Sequence, residues 1–359
     1  MNASGTARRT TAGGNPRLAS WARRAVVIPL YAGLFAALAT LFVPLALAAA
    51  AFDLVRSQPW TALRALVFFL WYLACELAGL AAALVLWLGW RLLPGVTPER
   101  WLDWNFALQR WWARMLGRGG FRIFDIRLEA DDGGYRFGER PVLLFVRHAS
   151  TADTILAALV VSVPHGTRLR YVLKRELLWD PCLDVVGNRL PNVFVKRDGV
   201  DTAREVASVA ALADGMGPGD GVLIYPEGTR FSPAKKQRIV RRLRDAGREA
   251  EALEAEGLRH VLRPRLGGAL ALVRAAPEAD VLFLAHTGFE GSASFDRFFN
   301  GGLIHRTVHA RLRAVPAGEV PEDEAARRAW MMQQWRAVDE FVEAHAAAGR
   351  APAGPAKET

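Results

Sequence analysis

Cysteine is nearly absent: the 359 residues contain only Cys75 and Cys182, far apart in the chain. That excludes a disulfide framework and a thiolate zinc site, and it suits a reducing compartment. Acid is short against base, 36 Asp and Glu facing 46 Lys and Arg, which leaves a formal charge of +10 and a pI near 10.2. The surplus points to an anionic partner, and nucleic acid, anionic lipid and phosphorylated small molecules all satisfy it. No internal repeat is visible.

Uncharged apolar length, by contrast, is plentiful. AVVIPLYAGLFAALATLFVPLALAAAAF, between Arg24 and Asp53, would be roughly 40 Å long as one helix, more than the ~30 Å of a bilayer core. A second run, residues 65–90, is interrupted only by Glu76. The first run is too long for the core of a cleaved signal peptide, so the two read as a transmembrane helical hairpin. Arg8, Arg9, Arg17, Arg23 and Arg24 precede it and Arg91, Arg100, Arg110, Arg114 and Arg118 follow it, against Arg56 and Arg64 in the loop. Both outer flanks are therefore expected on the cytoplasmic side. Glu76 is either a functional intramembrane carboxyl or one hidden against a partner helix.

Beyond Pro94 a Trp- and Arg-rich stretch, 101–118, has the spacing of an interfacial amphipathic helix, and equally of an ordinary packed one. Strands are expected at 141–146, 170–173, 192–195, 221–225, 280–285 and 303–315. Helices are expected near 150–161, 201–213, 234–257, 266–275 and 323–346. In the last of these Met331, Trp335, Val338 and Val342 recur at helical spacing and read as core. The expected class is α/β, a mainly parallel sheet flanked by helices, preceded by the hairpin. The corresponding division is a disordered basic N-terminus (1–24), the hairpin (25–95), an interfacial helix and linker (96–120), a catalytic domain (121–318), a C-terminal helix (319–347) and a disordered tail (348–359).

PVLLFVRHASTADT sets His148 directly after an apolar strand, with Asp153 five residues on. At the carboxyl edge of a sheet the imidazole can act as a nucleophile toward a phosphoryl group or as a base toward an alcohol. A carboxylate touching it would fix its tautomer and stabilise the imidazolium. The spacing from Ser150 to Asp153 is also that of a capping box, in which the carboxylate serves backbone amides alone. GVLIYPEGTRFSP places Glu227, Gly228, Thr229 and Arg230 on a loop after another strand, suited to a phosphate or simply to a tight turn. Lys174 follows the strand in YVLKREL, and Lys196 and Arg197 follow the one in NVFVKRDG. A base-like histidine and several cations converging on one edge describe an alcohol activated beside a bound phosphate.

In order, HASTAD, KRELLWDPCLDVVGNRLPNVFVKRDG, YPEGTRFSPAK and VLRPRLGG resemble the blocks of the membrane lysophospholipid acyltransferases, the 1-acylglycerol-3-phosphate acyltransferase family. The match covers roughly residues 120–318, and the VLRPRLGG block with the charged helix before it is most similar to the lysocardiolipin and eukaryotic-type branch. The resemblance implies transfer of a fatty acyl group from acyl-CoA or acyl carrier protein to a lysophospholipid hydroxyl, with 1-acylglycerol-3-phosphate the first acceptor to consider. It implies a multi-pass protein of the inner (cytoplasmic) membrane with its catalytic domain on the cytoplasmic side, and no metal, cofactor or nucleic acid. His148 would be the general base and Asp153 its orienter. Lys174, Lys196, Arg197, Glu227, Gly228, Thr229 and Arg230 would hold the acceptor's glycerol phosphate. Amides at the start of the helix after His148 are expected to serve the oxyanion.

Three departures stand out. Arg147 replaces the family's usual asparagine and is expected to add charge beside the base; Lys196 precedes Arg197, where the family carries an acidic or small residue; and LAHTGFEG lacks the usual proline and leaves His286 without a role. LLFVRHASTADT also resembles the phosphohistidine signature of phosphoglycerate-mutase-like phosphatases, though Ala149 stands where that family has glycine. A non-catalytic membrane-anchored lipid-binding protein on the same fold is the third reading.

Overall fold

The computed structural model describes residues 16–195, 203–292 and 294–346. Four long helices come first: α1 (Pro16–Thr40), α2 (Phe42–Val55), α3 (Thr61–Leu92) and α4 (Pro98–Phe124). The α/β part follows as β1 (Arg127–Asp131), β2 (Val142–Val146), α5 (Val163–His165), β3 (Arg168–Lys174), α6 (Pro181–Val185), β4 (Val193–Val195), α7 (Ala203–Ala210) and β5 (Asp220–Ile224). After these come α8 (Pro233–Asp245), α9 (Glu249–Gly257), α10 (Leu266–Ala275), β6 (Asp280–Thr287), α11 (Phe295–Phe299), β7 (Thr307–Val315) and α12 (Glu324–Ala346).

The seven strands form one sheet in the order β1-β7-β6-β2-β5-β3-β4. Strands β6, β2, β5, β3 and β4 run parallel, β7 is antiparallel to β6, and β1 is parallel to β7. The expected mainly parallel α/β class is observed. Strand β2 lies between β5 and β6 and all five of its residues are buried, as the continuous apolar run of a doubly covered parallel strand requires. Leu143 and Phe145 enter one core with α7, α10 and α12. Val142, Leu144 and Val146 enter the other, beneath α4. Met331, Trp335, Val338 and Val342 are buried core.

Four features differ from the sequence expectation. β1, RLEAD, is a charged edge strand that meets only β7 and has no apolar alternation to announce it. The 234–257 pattern is two helices, because Gly247 adopts φ +69° and ends the first. The first apolar run is also two helices, α1 and α2, parted at Leu41 just before Pro44, which lacks the N–H that continuous helix would use. Finally, α1 begins at Pro16, inside the stretch expected to be disordered.

Segments Ser20–Thr40 and Thr61–Leu92 are long and apolar enough to cross a bilayer, but they do not stand clear of the domain. α4 runs antiparallel along α3: Phe68 meets Phe124 at 5.3 Å, the Trp112 Nε1–H donates to Glu76 at 3.0 Å, and Trp90 meets Trp101 at 5.4 Å. Arg64 donates to the carbonyl of Ile123, and Arg189 donates to that of Ala83. Thus α3 packs along α4 and meets the α/β part at Ala83. Glu76 is fully buried and also accepts from the Cys182 amide at 3.1 Å, so it is the hidden carboxyl of the two alternatives. Arg23 and Arg24 both clamp the buried Asp184, at 2.6 and 3.0 Å. Asp53 accepts from the Ala62 and Leu63 amides and caps α3.

Candidate active site

His148 leaves the carboxyl end of β2 two residues after Val146 and is held from three directions. Its Nδ1 lies 3.0 Å from Asp153 Oδ1. Its own amide donates to Glu227 at 2.7 Å, and its carbonyl accepts from the Phe231 amide at 2.8 Å. The Tyr225 ring covers the imidazole at 4.5 Å. Asp153, with no exposed surface, turns its second oxygen to the amides of Ala149 and Ser150 at 2.6 and 2.7 Å. The capping and histidine-holding readings of Asp153 are both realised by one carboxylate. One expectation fails here: those two amides serve Asp153, so they are not free for an oxyanion.

The Pro-Glu-Gly-Thr-Arg loop crosses over this turn. Glu227 is corrected from phosphate ligand to clasp: it is buried, and its two oxygens accept from the His148 and Leu262 amides at 2.7 Å each. It therefore ties the histidine turn to the VLRPR segment, which Asp339 of α12 pins through the amides of residues 259–261. Burial pushes the Glu227 carboxyl up to about 8. Gly228 takes φ +71° and its amide donates to the Tyr225 carbonyl. A Cβ there would stand 2.8 Å from the Arg265 guanidinium, so glycine is needed for the turn and for that close approach.

Arg230 reaches Thr151 Oγ1 at 2.6 Å, three residues from His148. Lys235, which sequence reasoning leaves unassigned, donates to Thr229 Oγ1 at 3.0 Å and to the Arg230 carbonyl at 2.9 Å. Burial lowers its pKa, and the charges of Arg230 and Lys174 add to that. Lys235 thus feels the positive charge of both Arg230 and Lys174. Repulsion of this kind is relieved by an anion. β4 ends at Val195, and Lys196 and Arg197 lie outside the described residues.

Arg147 does not charge the site as expected. It is buried and points away, donating to the carbonyls of His286 and His260 and to Glu290 Oε1 at 2.7 Å. Burial alone would raise the Glu290 carboxyl, but Arg147, by charge and by hydrogen bond, brings it down to about 2. His286, wholly buried, donates through Nε2 to the Arg147 carbonyl at 2.9 Å and stands 3.7 Å from Asp153 Oδ2. Burial lowers its pKa, which keeps it neutral behind the dyad. A phosphohistidine mechanism wants a second histidine open to substrate, and this one is closed off. Among the described residues no group of three or more His, Cys, Asp or Glu side chains is placed to hold a metal.

A family model described as Acyltransferase matches residues 128–285. The mouse (Mus musculus) 1-acyl-sn-glycerol-3-phosphate acyltransferase epsilon is 22% identical over 211 residues, 56% of this chain and 57% of that protein. This chain therefore spans little more than half the length of that relative. The solved structure of the 1-acyl-sn-glycerophosphate acyltransferase PlsC from Thermotoga maritima aligns over 75% of this chain and 99% of its own, at 13% identity and a TM-score of 0.46. The stretch that matches the Acyltransferase model contains the His148–Asp153 pair and the Glu-Gly-Thr-Arg turn.

Proposed function

We propose that the protein transfers a fatty acyl group from a thioester, acyl-CoA or acyl carrier protein, to the hydroxyl of a lysophospholipid, with 1-acylglycerol-3-phosphate the foremost acceptor. The observation that carries this reading is the 3.0 Å contact of His148 Nδ1 with buried Asp153, with Arg230 bonded to Thr151 of the same turn. A proton on Nδ1, donated to Asp153, leaves the Nε2 lone pair for the substrate. His148 takes the hydroxyl proton as that oxygen attacks the thioester carbon. The tetrahedral intermediate collapses with cleavage of the C–S bond, and the departing thiolate recovers the proton from the imidazolium. Lys174, Arg230 and Lys235 hold the acceptor's phosphate, and Lys196 and Arg197, which follow β4 in sequence, are assigned the same role. Fixing that phosphate sets the hydroxyl against Nε2.

Both substrates carry chains that partition into lipid. The outward apolar side chains of α1 and α3, among them Val26, Leu30, Leu34, Leu84, Val85 and Leu88, seat the protein in the membrane. The two apolar helices are the anchor, a membrane hairpin packed on α4 and touching the α/β part where Arg189 donates to the Ala83 carbonyl, with the catalytic domain on the cytoplasmic side indicated by the flanking arginines. The test is a panel of lysolipids offered with labelled acyl-CoA, the products read by mass spectrometry. An acylated lysophospholipid is expected, and a purified, folded protein that acylates none of them refutes the reading.

A further inference from the structure

Helix α8, PAKKQRIVRRLRD, carries six cations and one acid. Helical spacing divides them. Ile239, Val240 and Leu243 pack on Ala252 and Ala255 of α9, and on that side the charges are neutralised. Arg244 pairs with Glu249 and Glu256 at 3.3 and 2.8 Å, and the neighbouring Arg248 and Arg263 pair with Glu251 at 2.6 Å each. Lys235, Arg238, Arg241 and Arg242, at i, i+3, i+6 and i+7, share the opposite arc. Arg238, Arg241 and Arg242 are exposed and form no ion pair among the described residues. Four glutamates lie one helix away, yet this arc is left bare, and like charges so spaced repel.

The arc starts at the site. Phe231 donates its amide to the His148 carbonyl, Ser232 caps α8, and Lys235 is bonded to the Arg230 carbonyl. From Lys235 to Arg242 the face then leads outward for about 10 Å. It does not belong to the lipid-seated surface, since α1–α3 pack against α4, α6 and α11. The acceptor's phosphate sits next to its reacting hydroxyl, within reach of Arg230 and Lys235. An anion met further out is separated from the reacting carbon by a long arm. Three guanidinium groups within two helical turns match a compact cluster of phosphates, each able to take a bidentate contact.

We propose that the bare face of α8 binds the nucleotide phosphates of a coenzyme A thioester, whose pantetheine arm lies along α8 with its acyl carbon at His148. The thioester's role as acyl donor rests on the acyltransferase reading, but the binding site does not. The test titrates free coenzyme A against the full-length protein and the triple variant R238Q/R241Q/R242Q, and compares palmitoyl-CoA with palmitoyl-pantetheine in turnover. The variant should keep its thermal melt and its kcat. It should bind coenzyme A about tenfold more weakly or worse, and its KM for palmitoyl-CoA should rise to match, the loss of at least one charge-assisted contact. Palmitoyl-pantetheine, which has no nucleotide phosphate, should not tell the two proteins apart. Added salt should raise the wild-type KM for palmitoyl-CoA more steeply than the variant's.

Equal affinity for coenzyme A in both proteins overturns the proposal, as does a loss shared by palmitoyl-pantetheine. A defect confined to a palmitoylated carrier protein, or to binding of phosphatidylglycerol vesicles, would assign the face to those partners instead. Wild-type protein that binds coenzyme A but acylates no lysolipid would refute the acyltransferase reading and leave the α8 site standing.

Discussion

Replacing His148 with alanine should lower acyl transfer by about 10²–10⁴-fold, the range that a positioned general base contributes. The protein should melt as the wild type does, within the small loss expected from uncovering one face of Tyr225. The imidazole's backbone anchors survive the change, because the Glu227 and Phe231 contacts are made by the amide and carbonyl of residue 148. Asp153→Asn is the informative companion. It keeps an acceptor oxygen for one set of contacts but places an amide N–H₂ against either His148 or the Ala149 and Ser150 amides. Activity should therefore fall with some loss of stability. Measured kcat beside a thermal melt separates the two variants. Full activity in the His148 variant would remove the base from the mechanism.

Replacing Glu227 with alanine should be the most destabilising single change in the site. Two buried amides, those of His148 and Leu262, lose their acceptors together, at about 1–3 kcal/mol for each. Activity should fall too, since the histidine turn is no longer tied to the VLRPR segment. The pH dependence follows from the raised carboxyl. In the folded state Glu227 holds its proton up to about 8, against about 4.3 in the unfolded chain. Its contribution is complete below the unfolded value and is lost as the pH rises through the folded one. Wild-type stability should decline across that window, and Glu227→Gln should flatten the decline. Denaturant midpoints at several pH values measure it. A Glu227→Ala protein as stable as wild type, and with the same slope, would show that the clasp is not needed.

The parallel strands were legible because each is a short apolar run bounded by turn residues, and five of them end at the edge where the motif residues follow. His148 with Asp153 was legible as spacing. The finding that Asp153 both caps the turn and holds the imidazole depends on two oxygens facing different ways, which no spacing encodes. Glu227 was misread because a charged residue in a phosphate-like loop suggests solvent and ligand. Its burial depends on amides supplied by residues 148 and 262, far away in sequence. Lys235 was missed because it belongs to a charged helix, where one lysine looks like the next; only the Ser232 cap and the turn at Gly228 aim it at Arg230. Arg147 and Glu290 carry no joint signal in one sequence, since their pairing across β2 and the end of β6 is purely tertiary. Apolar length made the two membrane-length helices legible, but the contacts of Arg64 with Ile123 and of Arg189 with Ala83, which pack α3 onto α4 and the α/β part, are invisible to hydropathy.

The claim that a base and a phosphate grip act on one acceptor is tested most directly by paired kinetics on 1-acylglycerol-3-phosphate and on the monoacylglycerol that lacks its phosphate. Arg230→Gln should raise KM for the phosphorylated acceptor by about tenfold or more and leave the phosphate-free one unchanged, while His148→Ala should suppress turnover of both. An Arg230→Gln protein that handles the two acceptors with wild-type preference would contradict the account.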